Sequence, residues 1–205
     1  MKKAFVTGVL LFGIVALPVK ASEFGLLLDK EIGRAEALSA AGAAGSGLPQ
    51  GGYDRSSPSG LGFRAAYTFL DLKFAELGAA VTYHPKVQDD LSLGGTNVGK
   101  FGDQYTAIGV QADWKFLLNL HAGLDMRSEK LTTSPATGGS DSTTLIRPWV
   151  KAGVGYTLPT PVVSPFVRLE LAVPLTSSDS SSSADDFRKA MAPSLQVALY
   201  GGIRF

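Results

Sequence analysis

Alternation of apolar and polar side chains is the feature that most constrains this chain. In the last stretch the apolar positions share one parity: Leu195, Val197, Leu199, Ile203 and Phe205. Gln196 and Arg204 take the other parity. A two-residue period places these two sets on opposite faces of a β-strand. The C-terminal stretch is therefore predicted to be a strand with one apolar face and one polar face.

The same alternation recurs in eight segments of the chain: 22–33, 61–70, 73–84, 104–116, 118–131, 144–158, 163–175 and 193–205. The connections between them alternate long and short, with long ones at 34–60, 86–103, 132–143 and 176–192. Each segment is 10 to 15 residues long, enough for the about 9–11 residues that a tilted transmembrane strand needs. The pattern predicts an all-β fold, an eight-stranded antiparallel up-and-down barrel with four long extracellular loops and three short periplasmic turns.

Period-two strands also suit a soluble lipocalin-like barrel, which would have an apolar interior, so the charged residues must decide between the two. Seven acids and seven bases are assigned to the polar parity, as expected of a charge-paired interior in which isolated charges would be costly. The acids of this predicted interior network are Glu23, Asp29, Glu31, Glu76, Asp113, Asp125 and Glu170. The bases are Arg64, Lys115, Arg127, Arg147, Lys151, Arg168 and Arg204.

Aromatic residues on the apolar parity are sorted by their place along each strand. Amphipathic rings prefer the two membrane–water interfaces, and a soluble barrel has no reason to sort them. One predicted girdle, near the turns, comprises Phe24, Phe69, Trp114, Phe116, Tyr156 and Phe205, and the other rim has Phe63 and Tyr83. This sorting favours a barrel whose apolar face contacts lipid.

The N-terminus predicts the compartment. Lys2 and Lys3 precede an apolar run that ends near Pro18, and small residues up to Ala21 suit a signal peptidase. Residues 1–21 are thus predicted to be a cleaved secretory signal and 22–205 the barrel domain. A formal net charge of +1 argues against nucleic-acid binding, and the absence of cysteine excludes disulfides and thiolate metal sites.

Taken together with the terminal Ile203-Arg204-Phe205, the pattern resembles the small eight-stranded outer-membrane proteins, such as the membrane domain of the OmpA family and the OmpX-like proteins. The resemblance implies an integral bacterial outer-membrane barrel in contact with lipid, both chain ends in the periplasm. It also implies that the barrel-assembly machinery recognises the C-terminal strand. Tyr200 stands where the family usually places a glycine.

Chemistry is weakly indicated. His121 is expected to bond with Asp125, and His84 is expected at the rim; neither precedes a serine by two residues, as the lipid A 3-O-deacylase family would show. The carboxylates of Asp179, Asp185 and Asp186 match no calcium-loop spacing, so no metal and no cofactor are predicted. The function expected is non-enzymatic, structural or surface-binding, with loop 34–60 as the partner-binding element. The alternatives are a narrow pore, an accessory subunit of an envelope complex, and a lipid-modifying enzyme.

Overall fold

A computed structural model describes this protein over residues 22–34, 52–55, 58–175 and 192–205. The predicted signal 1–21, most of loop 34–60 and the three aspartates at 179, 185 and 186 lie outside those ranges. No helix within them is long and apolar enough to cross a membrane.

The structure is built from strands. They are β1 Ser22–Ile32, β2 Tyr53–Arg55, β3 Ser59–Asp71, β4 Ala75–Leu93, β5 Thr96–Trp114, β6 Asn119–Pro135, β7 Asp141–Thr157, β8 Ser164–Pro174 and β9 Leu195–Arg204. All pairings are antiparallel, and every strand except β2 has at least two strand neighbours; β4 has three.

Pairing of β1 with β9 closes the sheet into a barrel. Glu23 lies opposite Arg204 in this register, and Ile32 lies opposite Leu195. At one end of the seam, Ser22 and Phe205 exchange backbone hydrogen bonds of 2.8 and 3.0 Å. The predicted closed barrel of eight antiparallel strands is confirmed, and β2 is an added short strand on the edge of β4.

The barrel has two unlike ends. Three short turns, 72–74, 115–118 and 158–163, lie at the end where Ser22 and Phe205 meet, which we call the turn end. At the opposite end, the extended end, β4 to β7 continue in paired strands well past the residues at which β8, β9, β1 and β3 stop.

The predicted long loops at 86–103 and 132–143 were wrong in extent. Most of residues 86–103 belong to β4 and β5, which are joined by Gly94 and Gly95 at φ 55° and 80°. Strands β6 and β7 likewise leave only residues 136–140 between them. The pairing shifts register between His84 and Val87, and such an irregularity reverses which parity faces inward. The period-two pattern on which the prediction rested is therefore broken there.

Candidate functional site

Each barrel strand buries one parity and exposes the other, as β8 illustrates. Arg168 and Glu170 are 3% and 2% exposed, whereas the neighbouring Leu169 and Leu171 are 49% and 47% exposed. The buried set faces the barrel interior and the exposed set faces outward. This protein thus has a charged interior and an apolar exterior.

The structure places the residues of the predicted charge network as follows. Twelve are buried: Glu23, Asp29, Glu31, Arg64, Glu76, Asp113, Asp125, Arg127, Arg147, Lys151, Arg168 and Glu170. Lys115 and Arg204 are half-buried at the turn end. All eight aromatic residues of the predicted girdles are exposed: Phe24, Phe63, Phe69, Tyr83, Trp114, Phe116, Tyr156 and Phe205.

Two ion pairs lie at the middle of the interior. The Arg64 guanidinium donates two hydrogen bonds of 2.6 and 2.7 Å to the Glu170 carboxylate, and it lies over the Tyr200 ring at 4.7 Å. The Lys151 ammonium is 3.0 Å from a carboxylate oxygen of Asp125. Opposite charges in contact reduce the cost of holding each charge away from water.

A second group of ion pairs lies at the turn end. Arg204 donates to Glu23 of β1 at 3.0 Å and to Glu76 of β4 at 2.9 Å. It therefore ties three strands together at the seam. Arg168 donates to Asp113 at 2.8 Å.

Lys115 closes this end from the turn between β5 and β6. Its ammonium is 2.6 Å from Asp71 and 2.7 Å from Glu76. Partial burial disfavours the charged form, but the hydrogen bonds to the two carboxylates outweigh burial and raise the pKa of Lys115. The charge of the only lysine in that turn is thus balanced by carboxylates of the barrel.

His121 lies in the interior, as its parity predicts, but its partner differs from the one expected, and His84 differs from expectation in its position. His121 Nδ1 is 3.0 Å from Asp113, its register partner on β5, and the expected bond to Asp125 is wrong. His84 is 1% exposed rather than at the rim, with Nε2 at 3.1 Å from Asp29 and its ring stacked on Tyr105 at 4.9 Å. Both imidazoles therefore belong to the interior.

Asp29 organises the interior toward the extended end. It accepts hydrogen bonds from the Tyr105 hydroxyl at 2.7 Å and the Gln196 amide at 2.8 Å. Gln196 in turn accepts from Arg127 at 2.7 Å, and the Arg127 guanidinium lies over the Trp149 ring at 3.9 Å. Aromatic rings and amides thus fill the space that the charged groups leave.

Farther toward the extended end, the interior still contains buried side chains. Arg34 donates to Glu31 at 2.7 Å and lies over the Phe101 ring at 5.4 Å. Four apolar side chains of the extended strands are at most 4% exposed: Leu91, Phe101, Leu131 and Leu145. Sequence reasoning missed this apolar group because it assigned most of its members to loops or loop edges.

Glycines on the inward parity make room for the bulky interior side chains. A Cβ on Gly123 would overlap Cε of Lys151, its register partner, and one on Gly109 would overlap the carboxylate of Asp125, its own partner. A large inward side chain on one strand therefore lies opposite a glycine on the neighbouring strand. This signal is present in the sequence as glycines on the polar parity.

The interior so built is filled with paired charges, amides and rings. Within the described ranges, no group of three or more His, Asp or Glu side chains has the arrangement of a metal site. The arrangement can support a rigid wall and fix the strand register, because its ion pairs join residues far apart in the chain, such as Arg64 and Glu170.

The fold of this chain was compared with those of solved structures. The chain is similar to small outer-membrane barrels. Three solved structures each align with 90% of it: the attachment invasion locus protein Ail of Yersinia pestis, Neisserial surface protein A, and a major outer membrane protein of Thermus thermophilus. In that order the identities are 12%, 11% and 12%, the share of the other chain covered is 98%, 94% and 98%, and the TM-scores are 0.47, 0.47 and 0.46. No protein-family model matches this chain, and no curated protein matches it.

Proposed function

We propose that this chain is an integral protein of the bacterial outer membrane, with a filled barrel that serves as a rigid, non-enzymatic support for a surface-exposed extended end. The observation that carries this proposal is the pairing of a charged interior with an apolar exterior on the same strands. The exposed apolar side chains of the strands form a band around the barrel, which we call the apolar belt. In water this belt would be a very large exposed apolar patch, which soluble monomers rarely have.

The apolar belt runs round the whole barrel. Each barrel strand contributes at least one large apolar side chain that is 38% or more exposed, among them Phe24, Phe63, Val81, Ile108, Leu124, Val154, Leu169 and Leu199. Closure removes free strand edges at this level, so the backbone polar groups are paired within the sheet, as lipid requires.

A non-enzymatic role is supported by where the histidines lie. His84 and His121 are 1% and 3% exposed and face carboxylates in the interior. A lipid substrate would approach from the outer surface, which is apolar around the belt. Mass spectrometry of lipid A with and without the protein tests this point, and a change in acylation that depends on His84 or His121 would contradict it.

A closed rather than conducting barrel is supported by the filling of the interior. An eight-stranded barrel is just wide enough for its own side chains, and here Trp149, Tyr200 and Arg64 are at most 2% exposed within it. Planar-bilayer recordings should show no stable conductance. A reproducible single-channel conductance would instead favour the narrow pore.

The extended end is the proposed contact surface. Its outward side chains are polar, with Lys86, Gln88, Lys100 and Lys130 exposed. We propose that this paired sheet, rather than loop 34–60 alone, meets partners outside the cell, since rigid strands lose little conformational entropy on binding.

Fractionation and labelling test the proposal. The protein should appear in outer-membrane fractions and migrate differently on gels before and after boiling, as closed barrels do. Asn97→Cys at the extended end should react with an impermeant maleimide on intact cells, whereas Leu124→Cys in the belt should not. Recovery as a soluble periplasmic protein with one gel mobility would contradict it.

A further inference from the structure

The three short turns carry apolar side chains where turns in water usually carry polar ones. Leu117 and Val162 are 89% and 81% exposed, the highest values among the large apolar residues described. Other exposed members are Phe74 at 62%, Phe116 at 64%, Leu118 at 51% and Leu158 at 49%. We call these six residues the apolar cap.

The apolar cap is continuous with the apolar belt of the barrel. Leu158 comes two residues after Tyr156, and Phe116 two residues after Trp114, both exposed aromatic residues near the turn end. Phe205 lies beside Ser22 at the same end and is 54% exposed. The exposed apolar surface of the barrel therefore continues onto the turns.

Some backbone amides of the turns are paired within the protein. Leu72 N–H donates to the Ala75 carbonyl at 2.8 Å, and Leu158 N–H donates to the Pro165 carbonyl at 2.9 Å. Pro159 and Pro161 have no N–H to satisfy. An unpaired backbone group is costly within the hydrocarbon, so this partial pairing suits turns at the boundary of the lipid, where headgroups and water can bind the remaining groups.

Two polar side chains of the turns have partners within the protein, and a third is long enough to place its charge away from the apolar cap. The Thr160 hydroxyl donates to the Val163 carbonyl within its own turn. Lys115 contacts Asp71 and Glu76, as described above. Lys73 is exposed, and its long side chain can place the ammonium in the headgroup layer while the stem stays in apolar surroundings.

We propose that the apolar cap inserts into the headgroup–acyl boundary of the phospholipid leaflet at the turn end and fixes how deeply the barrel sits. The occupant is phospholipid because the cap continues the lipid-facing belt, whereas the extended end carries exposed Lys86, Lys100 and Lys130 in its place. This inference rests on the proposed function, since it requires that the barrel span a membrane.

Site-directed spin labelling tests it, because the chain has no cysteine of its own. Leu117→Cys, labelled with a nitroxide and folded into phosphatidylcholine–phosphatidylglycerol vesicles, should collide with oxygen more than with a water-soluble nickel chelate. Asn97→Cys at the extended end should show the reverse preference, and Leu124→Cys gives the value for a lipid-facing belt position. Val162→Cys is a second, independent cap position.

The outcomes separate the two proposals. If the labels at 117 and 162 are as open to nickel as the label at 97 while the label at 124 is shielded, the barrel spans the bilayer but the cap is aqueous. Lipid insertion of the cap is then wrong, and a protein partner becomes its better occupant. If the label at 124 is also open to nickel, the proposed function fails and this inference fails with it.

Discussion

The inward and outward faces of the same strands obey opposite rules, as Glu170 and Leu171 show. These neighbours in β8 are 2% and 47% exposed. Glu170 has a particular partner in Arg64, at 2.6 Å, whereas Leu171 needs only apolar surroundings. The interior is therefore specified pair by pair, and the exterior by hydrophobicity alone.

This difference should appear in how each face tolerates substitution. Losing one member of a buried pair leaves a charge without its partner in a place that water does not reach. Exchanging one apolar residue for another on the outward face takes no partner away from a buried group. The faces should thus differ in the kind of change that each tolerates.

Glu170→Ala should have the largest effect, because it removes the carboxylate that binds Arg64 and lies near Arg168 and His121. We expect a loss of about 3–5 kcal/mol in the free energy of unfolding, the usual cost of an unpartnered buried charge. Denaturant unfolding in lipid vesicles measures it. Replacing Arg64 and Glu170 together by Met and Leu should cost less than Glu170→Ala, and a larger loss in the double variant would contradict this view of the interior.

Leu169→Arg should have the next largest effect, because it puts a charge into the apolar belt. Leu169 is flanked by Val154 and Leu199 on the neighbouring strands. An arginine on the lipid face near the midplane costs about 2–4 kcal/mol, measured by the same unfolding experiment. Leu169→Ile is the matched control and should unfold as the parent does; an equal loss in both would mean that packing rather than lipid contact matters here.

Gly123→Ala should have a moderate effect, because the new methyl group would displace Lys151 from its place beside Asp125. Overpacking of this kind typically costs about 1–3 kcal/mol. Gly201→Ala is the control, since its Cβ would meet only the Phe166 carbonyl at 3.6 Å, an ordinary contact. Similar unfolding midpoints for the two variants would show that inward glycines are not needed for space.

The barrel could be predicted from sequence because the period-two pattern repeats over the chain, whereas the choice of partner within the interior could not. His121 and Asp125 are close in sequence, but four residues along a strand span about 13 Å. The partner found, Asp113, lies directly opposite His121 on β5. Strand register, which the pattern does not contain, decides such pairs.

Residues that depart from the pattern were also missed. Leu27 has the parity of Asp29 and is 1% exposed, in a buried apolar cluster with Phe166, Ala198 and Tyr200. The strands of the extended end lack the outward apolar face that marks a strand within lipid. A prediction based on alternation therefore finds the part of the barrel whose outward face is apolar and misses the part whose outward face is polar.

Asp90→Asn should have the smallest effect, and it sharpens the contrast because it alters the same kind of ion pair outside the barrel. Lys100 and Asp90 are 3.9 Å apart with side chains 59% and 58% exposed, whereas Lys151 and Asp125 are 3.0 Å apart with side chains 1% and 3% exposed. An exposed pair contributes about 0–1 kcal/mol and is screened by salt, so Asp90→Asn should barely move the unfolding midpoint. Asp125→Asn should lower it clearly at any salt concentration, because burial rather than charge alone gives a Lys–Asp pair its effect on stability. Equal shifts for the two variants would mean that water reaches the interior, and with it that the barrel is not filled.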